Sequence, residues 1–168
     1  MNEIFERRSI RRYTEQPVEE QKLRKLVEAG FYAPTGKLLE PWQFLIIDDR
    51  EILKGIAANV RYVKMLENAP NAIVVLGDTV KSPDMWRDDC AAATENILLE
   101  AKYLGLGSCW CGIYPAEEKV AYYRKALKIP EPICPYSLIA LGYPAEQKEA
   151  PLRYDGTKVY RNFYGAKF

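Results

Sequence analysis

One predicted helix, spanning 85–104, constrains the fold more than any other part of the 168-residue chain. It follows Ser82-Pro83-Asp84, which is typical of a helix start: a capping hydroxyl, a proline for the first turn and an acid at the positive end of the helix dipole. A helix that is apolar around most of its circumference must be buried on more than one side, within a large core or against another subunit. The apolar positions here are Ala91, Ala92, Ala93, Ile97, Leu98, Leu99, Ala101 and Leu104.

The rest of the chain alternates helices and strands with no linker, repeat or biased tract, and its length suits one domain, 1–168. Apolar residues at helical spacing predict a helix through Leu23 and Phe31, ended by Pro34. Asp48-Asp49 supplies caps for another helix. In all, helical patterns cover 2–8, 23–31, 50–56 and 116–128, and β-type patterns cover 44–47, 72–76, 108–113 and 136–141.

The absence of histidine removes much chemistry at once. Triads that activate a serine or cysteine through an imidazole are excluded, and so are most catalytic zinc sites. The cysteine spacing matches neither a Cys-x-x-Cys redox pair nor paired zinc knuckles, so we interpret the four thiols (Cys90, Cys109, Cys111 and Cys134) as buried small hydrophobes. Cys109 and Cys111 flank Trp110 and would share one face of a strand. We therefore expect no metal and no catalytic side chain, and an enzyme of this composition would need a borrowed cofactor.

Charge and hydropathy exclude several classes of binding partner. Lys and Arg total 24 against 23 Asp and Glu, a net charge of +1 that is too balanced for a protein dedicated to polyanions. No apolar run approaches the roughly 18 residues of a membrane span. The polar start of the sequence lacks the apolar core of a signal peptide. We expect no nucleic acid, no membrane and a cytoplasmic location.

Two segments could bind a small ligand. The first, Arg7-Arg8-Ser9-Ile10-Arg11-Arg12 followed by Tyr13, brings guanidinium forks and a hydroxyl together, donors that suit a phosphate. A solvated basic turn, with or without an RNA or acidic partner, explains the same pattern. The second segment, from Ala33 to Trp42, contains two prolines and a glycine and forms a stiff loop. No glycine-rich phosphate motif is present.

Together and in this order, the segments resemble the nitroreductase family of FMN-dependent oxidoreductases, along essentially the whole chain. The resemblance rests on the Arg7–Tyr13 stretch, on Ala33-Pro34-Thr35-Gly36 with Glu40-Pro41-Trp42, on the long helix with Asn96 that leads into Leu104-Gly105-Leu106-Gly107-Ser108-Cys109-Trp110, on Leu127-Lys128-Ile129-Pro130, and on Ala140-Leu141-Gly142-Tyr143-Pro144. It implies an α+β fold with three α/β/α layers around a mainly antiparallel sheet. It also implies an intertwined homodimer, in which the tail from about 150 to 168 packs on the partner subunit.

The resemblance also implies a flavin site at the dimer interface. The N-terminal stretch would serve the FMN phosphate and pyrimidine edge, and a loop from the other subunit would reach the flavin. The backbone of a Cys-Gly pair would approach the flavin N5–O4 edge, and a tail arginine would meet the phosphate. These cofactor-binding positions are Arg7, Arg8, Ser9 and Arg11; Pro34, Thr35 and Gly36; Cys111 and Gly112; and Arg153, with Lys158 and Arg161 as further candidates in the tail.

The implied reaction is a ping-pong hydride transfer from NADH or NADPH through FMN to a nitroaromatic, quinone or similar acceptor. Two alternatives stay open: a flavin-binding protein without NAD(P)H turnover, and an unrelated basic module that binds nucleic acid. Leu38 and Glu40 stand where many family members carry asparagine and glutamine. Glu40 would either pair with Lys37 or project into solvent.

Overall fold

A four-stranded antiparallel sheet forms the centre of the molecule in a computed structural model that describes residues 2–168. Its strands lie in the order β1-β2-β4-β3, so β1 and β3 are the edges. Every neighbouring pair is antiparallel, which confirms the predicted α+β fold class. The strands are β1 (Trp42–Ile47), β2 (Asn71–Asp78), β3 (Gly107–Gly112) and β4 (Ile133–Gly142).

Helices cover both faces of this sheet. Alternate residues of β2 point to opposite sides, so Ile73 packs in the cluster with Leu26 and Ile97, whereas Val74 packs in the cluster with Leu53 and Tyr123. The first cluster belongs to α2 and α4, the second to α3 and α5, which gives the predicted three layers. The helices are α1 (Glu3–Glu6), α2 (Glu20–Phe31), α3 (Arg50–Asn59), α4 (Trp86–Tyr103) and α5 (Glu117–Leu127).

The long helix begins within one residue of the predicted start, but without the predicted cap. The Asp78 carboxylate accepts hydrogen bonds from the backbone N–H groups of Val80 (3.0 Å) and Lys81 (2.9 Å), so the chain turns after β2 before any helix begins. Ser82 is buried and its hydroxyl has no hydrogen-bond partner within residues 2–168. The predicted serine cap was therefore wrong, and α4 begins at Trp86. Its end agrees with the sequence, because Gly105 adopts a φ of +76°.

The chain buries one broad side of α4 in its own core. Eight of the 18 residues are buried, and from Trp86 to Ala101 they follow the i, i+3, i+4 pattern of one helix face. The opposite side carries Ala92 and Leu99, which are half-buried, and Tyr103, which is 70% exposed. One protomer thus leaves part of this apolar helix open to a partner.

The C-terminal tail extends away from the layers. After β4 it contains one short 3-10 turn, Gly156–Lys158. Its large apolar side chains lie mostly in solvent: Leu152, Tyr154, Phe163, Tyr164 and Phe168 are each at least 71% exposed. Within the described part of the chain, no helix is long and apolar enough to cross a membrane. That the tail packs on a partner subunit stays a prediction.

Candidate functional site

The basic N-terminal segment lies beside the edge strand β3. Ser9 and Ser108 form a parallel bridge, and the backbone N–H of Ile10 donates to the Ser108 carbonyl at 2.9 Å. Ile10 is buried, whereas Arg11 and Arg12 are exposed. The segment is thus fixed to the sheet by its backbone, and its polar side chains are left for another purpose.

The two adjacent arginines of this segment differ in their surroundings. Arg7 Nε lies 3.2 Å from Glu95 Oε1, yet this buried nitrogen has no hydrogen-bond partner within residues 2–168. Arg8 donates to three backbone carbonyls, those of Phe5, Arg7 and Glu149. Arg8 therefore holds the chain together. Arg7 keeps an unused donor beside the edge of β3, and an unused buried donor calls for an acceptor.

Strand β3 places two thiols next to Arg11. Cys109 is 2% exposed and, as predicted, it faces the same layer as Cys111. Hydrogen bonding from the Cys111 thiol, with help from the Arg11 guanidinium and the Ser9 hydroxyl, holds the pKa of Cys109 below its usual 9.0. The same contact, together with burial, raises the pKa of Cys111. This end of β3 therefore favours negative charge.

The last residue of β3 is open to solvent. A Cβ atom built on Gly112 would meet nothing within 4 Å, so a flat ligand could approach the backbone here. The Gly112 carbonyl accepts a hydrogen bond from Lys119 Nζ at 3.1 Å. The Cys111–Gly112 pair is accessible in the way that a backbone contact with a ring edge requires.

Two grooves contain further cations that the sequence analysis did not predict as site residues: Arg61 and Lys64 in one, and Lys148 in the other. A groove of about 980 Å³ lies beyond Arg11 at the end of α3, where the Arg61 guanidinium stacks on the Tyr62 ring at 4.6 Å beside Lys64. A second groove, of about 360 Å³, includes Arg7 and Lys148. The only sequence signal for the first was the cluster of cations after α3, which has no motif spacing.

The predicted second-loop residues lie against the start of α4. Asp89, which is 4% exposed, accepts hydrogen bonds from the Thr35 hydroxyl and the Gly36 backbone N–H, both at 3.0 Å. A Cβ atom on Gly36 would collide with the Met85 side chain. Pro34 is exposed. Thr35 and Gly36 therefore fix this loop to α4, and Pro34 is the open corner of the loop, exposed to solvent.

The turn that follows is strained and solvent-facing. Lys37, Leu38 and Glu40 have φ values of 54°, 56° and 46°, a region that side-chain-bearing residues seldom occupy. Leu38 is 85% exposed. Glu40 makes no ion pair with Lys37 in the described part of the chain, so the prediction of an exposed carboxylate is the one that holds.

One protomer does not bring all the predicted site residues together. The loop is tied to Asp89 at the start of α4, whereas the N-terminal segment follows the other end, where Glu6 pairs with Lys102 at 3.3 Å. At 1.5 Å per residue, Lys102 lies about 20 Å from Asp89 along the helix, whereas Glu95, which Arg7 contacts, lies about 9 Å from it. Within residues 2–168, Arg153 is exposed and makes no hydrogen bond or ion pair. In the same tail, Lys158 pairs with Asp155 at 3.0 Å, and Arg161 lies over the Phe168 ring at 4.6 Å.

Comparison with known proteins gives this arrangement a family. The model of the nitroreductase family matches residues 4–61 and 57–143. The chain belongs to the nitroreductase family. The resemblance predicted from its ordered motifs is thereby confirmed, and so is the expectation that the protein is an oxidoreductase of that family.

Individual nitroreductase relatives agree over nearly the whole chain. An Archaeoglobus fulgidus protein, assigned provisionally as an NADH dehydrogenase/NAD(P)H nitroreductase, is 42% identical over 94% of both chains. The solved structure of an FMN-dependent nitroreductase from Clostridium difficile superposes with a TM-score of 0.90 at 35% identity, covering 97% of this chain and 99% of that one. A nitroreductase from Desulfovibrio desulfuricans, also a provisional assignment, was solved in complex with FMN and has a TM-score of 0.84 at 30% identity, covering 97% and 96%.

Proposed function

We propose that this protein is an FMN-dependent oxidoreductase that takes a hydride from NADH or NADPH and passes it to a nitroaromatic, quinone or similar acceptor. The donor and the acceptor occupy the same place in turn, so the kinetics are ping-pong. The observation that carries the proposal is the buried Nε of Arg7, which has no hydrogen-bond partner within residues 2–168 and lies beside the start of β3 in a chain of this family.

The donor set fits FMN. Its phosphate is a compact dianion, which the Arg7 guanidinium and the Ser9 hydroxyl can bind with charge-assisted hydrogen bonds. The position of Arg11, next to Cys109 and at the rim of the larger groove, suits the pyrimidine edge of the ring. The open backbone at Gly112 suits the N5–O4 edge. Arg8, which is bound to three carbonyls, acts in the site by holding this segment in place.

In this mechanism the chain binds and orients the reactants. FMN, when bound, supplies the hydride chemistry, which needs no histidine. The Arg11 cation favours negative charge at the pyrimidine edge and so favours the reduced cofactor. The open backbone at Cys111–Gly112 would hold the ring edge when FMN is bound. Holding the reacting atoms in line can supply roughly 7–11 kcal/mol of a bimolecular barrier.

The complete site is built from two chains. Arg7 contacts α4 at Glu95 and the loop contacts it at Asp89, and the family resemblance implies that the loop which completes each site comes from a second copy. The exposed side of α4 supports this assembly, because Leu99 and Tyr103 line an apolar groove of about 830 Å³ together with Tyr32. The exposed aromatic tail is a second surface that a partner would cover.

An absorbance spectrum of the purified protein tests the proposal. The protein should be yellow, and NADH or NADPH should bleach it under anaerobic conditions. Colour without bleaching would instead indicate a flavin-binding protein without turnover. No colour and no FMN uptake, together with salt-sensitive RNA binding, would indicate the basic module.

A further inference from the structure

Two segments that are far apart in the sequence lie side by side at the candidate site. Residues 8–14 and 143–149 run antiparallel: Tyr13 bridges Pro144, and the backbone N–H of Thr14 donates to the Tyr143 carbonyl at 2.9 Å. The Ala145 N–H donates to the Arg12 carbonyl, also at 2.9 Å. The first segment carries the FMN-binding residues of the proposed function. The second leads directly into the tail.

Side chains continue this pairing where the backbone does not. Glu146 Oε1 accepts a hydrogen bond from the backbone N–H of Arg11 at 2.6 Å. Lys148 Nζ donates to the Ser9 carbonyl at 2.7 Å and pairs with the same Glu146 oxygen at 3.1 Å. One carboxylate and one ammonium thus fix the backbone on both sides of Ile10, at the two residues that face the ligand.

The surroundings of the pair make it more than a surface contact. Its side chains are only 21% (Glu146) and 34% (Lys148) exposed, and each is bound to the backbone as well as to the other. The hydrogen bond from Arg11, followed by the contact with Lys148, holds the pKa of Glu146 below its usual 4.5, so the carboxylate is charged at neutral pH. Charge-assisted hydrogen bonds to backbone groups are stronger than neutral ones.

We propose that Glu146 and Lys148 form a latch that positions Ser9 and Arg11 for FMN, an inference that rests on the function proposed above. Both are positioning residues, because they act on the flavin through the backbone of 9–11. Without the latch, Ile10 would stay fixed by its burial, by the bridge to Ser108 and by the Tyr13 hydroxyl, but the Ser9 carbonyl and the Arg11 N–H would lose their side-chain partners. The Ser9 hydroxyl and the Arg11 guanidinium would then be mobile in the free protein. Ordering them when FMN binds would cost part of the binding free energy.

The test compares Glu146→Ala and Lys148→Met with Gln147→Ala, an exposed neighbour between them. FMN dissociation constants, measured by quenching of flavin fluorescence, should rise roughly tenfold for the two latch variants and stay unchanged for the control. Amide hydrogen exchange of the protein without FMN provides a second readout. The Arg11 N–H should lose its protection in Glu146→Ala and keep it in Gln147→Ala.

Two further variants separate a latch from a general loss of folding. Glu146→Gln keeps an acceptor oxygen but loses the charge, so its FMN affinity should lie between those of the wild type and Glu146→Ala. Combining Glu146→Gln with Lys148→Met should cost less than the two changes added together, because they remove the same ion pair. Additive effects, or wild-type FMN affinity in Glu146→Ala, would overturn the latch alone. An unaltered protein that takes up no FMN would overturn the proposed function and the latch together.

Discussion

At the scale of single residues, Arg7 has a property that its neighbours lack. Arg8 donates hydrogen bonds to three backbone carbonyls, and Arg12 is exposed to solvent. Arg7, in contrast, has a buried Nε without a hydrogen-bond partner in the described chain. Glu95 gives Arg7 a counter-charge but not that hydrogen bond. A ligand phosphate would satisfy it. Arg7 is therefore the side chain whose loss should affect the ligand most and the fold least.

Arg7→Gln should weaken FMN binding roughly 10- to 100-fold, the loss expected when hydrogen bonds to a charged group are removed. The matched control is Arg12→Gln, which removes an exposed arginine five positions along the same segment. Flavin fluorescence titration measures both. If Arg7→Gln purifies with stoichiometric FMN, the phosphate assignment is wrong.

The thiol pair on β3 gives stability a pH dependence. The folded pKa of Cys109 lies below the unfolded value of 9.0, mainly because Cys111 donates a hydrogen bond to it. Its contribution is therefore fully present above pH 9 and is lost as the pH falls toward the lowered pKa. The free energy of unfolding should drop between about pH 9 and pH 6 by more in the wild type than in Cys109→Ala. Urea denaturation at several pH values checks this, and equal slopes in the two proteins would contradict the lowered pKa of Cys109.

Residue types were readable in the sequence, but their pairings were not. The basic stretch announced itself because four arginines lie within six positions, and Cys111–Gly112 followed from the family resemblance. Nothing local marks Lys148 or Glu146, because their partners lie more than 130 positions away and meet them only through the fold. Asp89 is likewise unmarked in the sequence, because its partners Thr35 and Gly36 lie more than 50 positions earlier.

At the scale of elements, one of the two helix caps predicted from the sequence is present and the other is not. The Asp49 side chain caps α3 through the N–H groups of Glu51 and Ile52, as its sequence suggested. The signal at Ser82 failed because this side chain is buried and its hydroxyl has no hydrogen-bond partner within residues 2–168, while the Asp78 carboxylate binds the N–H groups of Val80 and Lys81 in a turn before the helix.

The anchor of the second loop leads to a prediction at this scale. Asp89→Ala removes a buried acceptor of two hydrogen bonds and leaves the Thr35 hydroxyl and Gly36 N–H without it. It should therefore destabilise the protein by about 2–3 kcal/mol. The control is Asp88→Ala, which removes the adjacent acid from the same first turn of α4, where it is exposed. Chemical denaturation measures both, and equal losses would show that Asp89 acts only on the helix dipole.

At the scale of the whole molecule, α4 contacts both the second loop and the N-terminal segment of the predicted site. The chain's own core covers one side of α4, and the helix contacts the loop at Asp89 and the N-terminal segment at Glu95 and Lys102. Two copies related by a two-fold axis would place the loop of one beside the segment of the other, twice per dimer. Light scattering should accordingly give a dimer at micromolar concentration, and a monomer would remove the basis for a shared site.

A mixed dimer tests the shared site directly. One chain carries Arg7→Gln and the other carries Pro34→Trp, chosen because Pro34 is the open corner of the loop, whereas a side chain on Gly36 would disturb its own protomer. If each site uses the segment of one chain and the loop of the other, a heterodimer places both lesions in one site and leaves the second site intact. Random exchange of two inactive homodimers should then restore about a quarter of wild-type NAD(P)H turnover. If each chain builds its own site, every site carries a lesion and turnover stays at background.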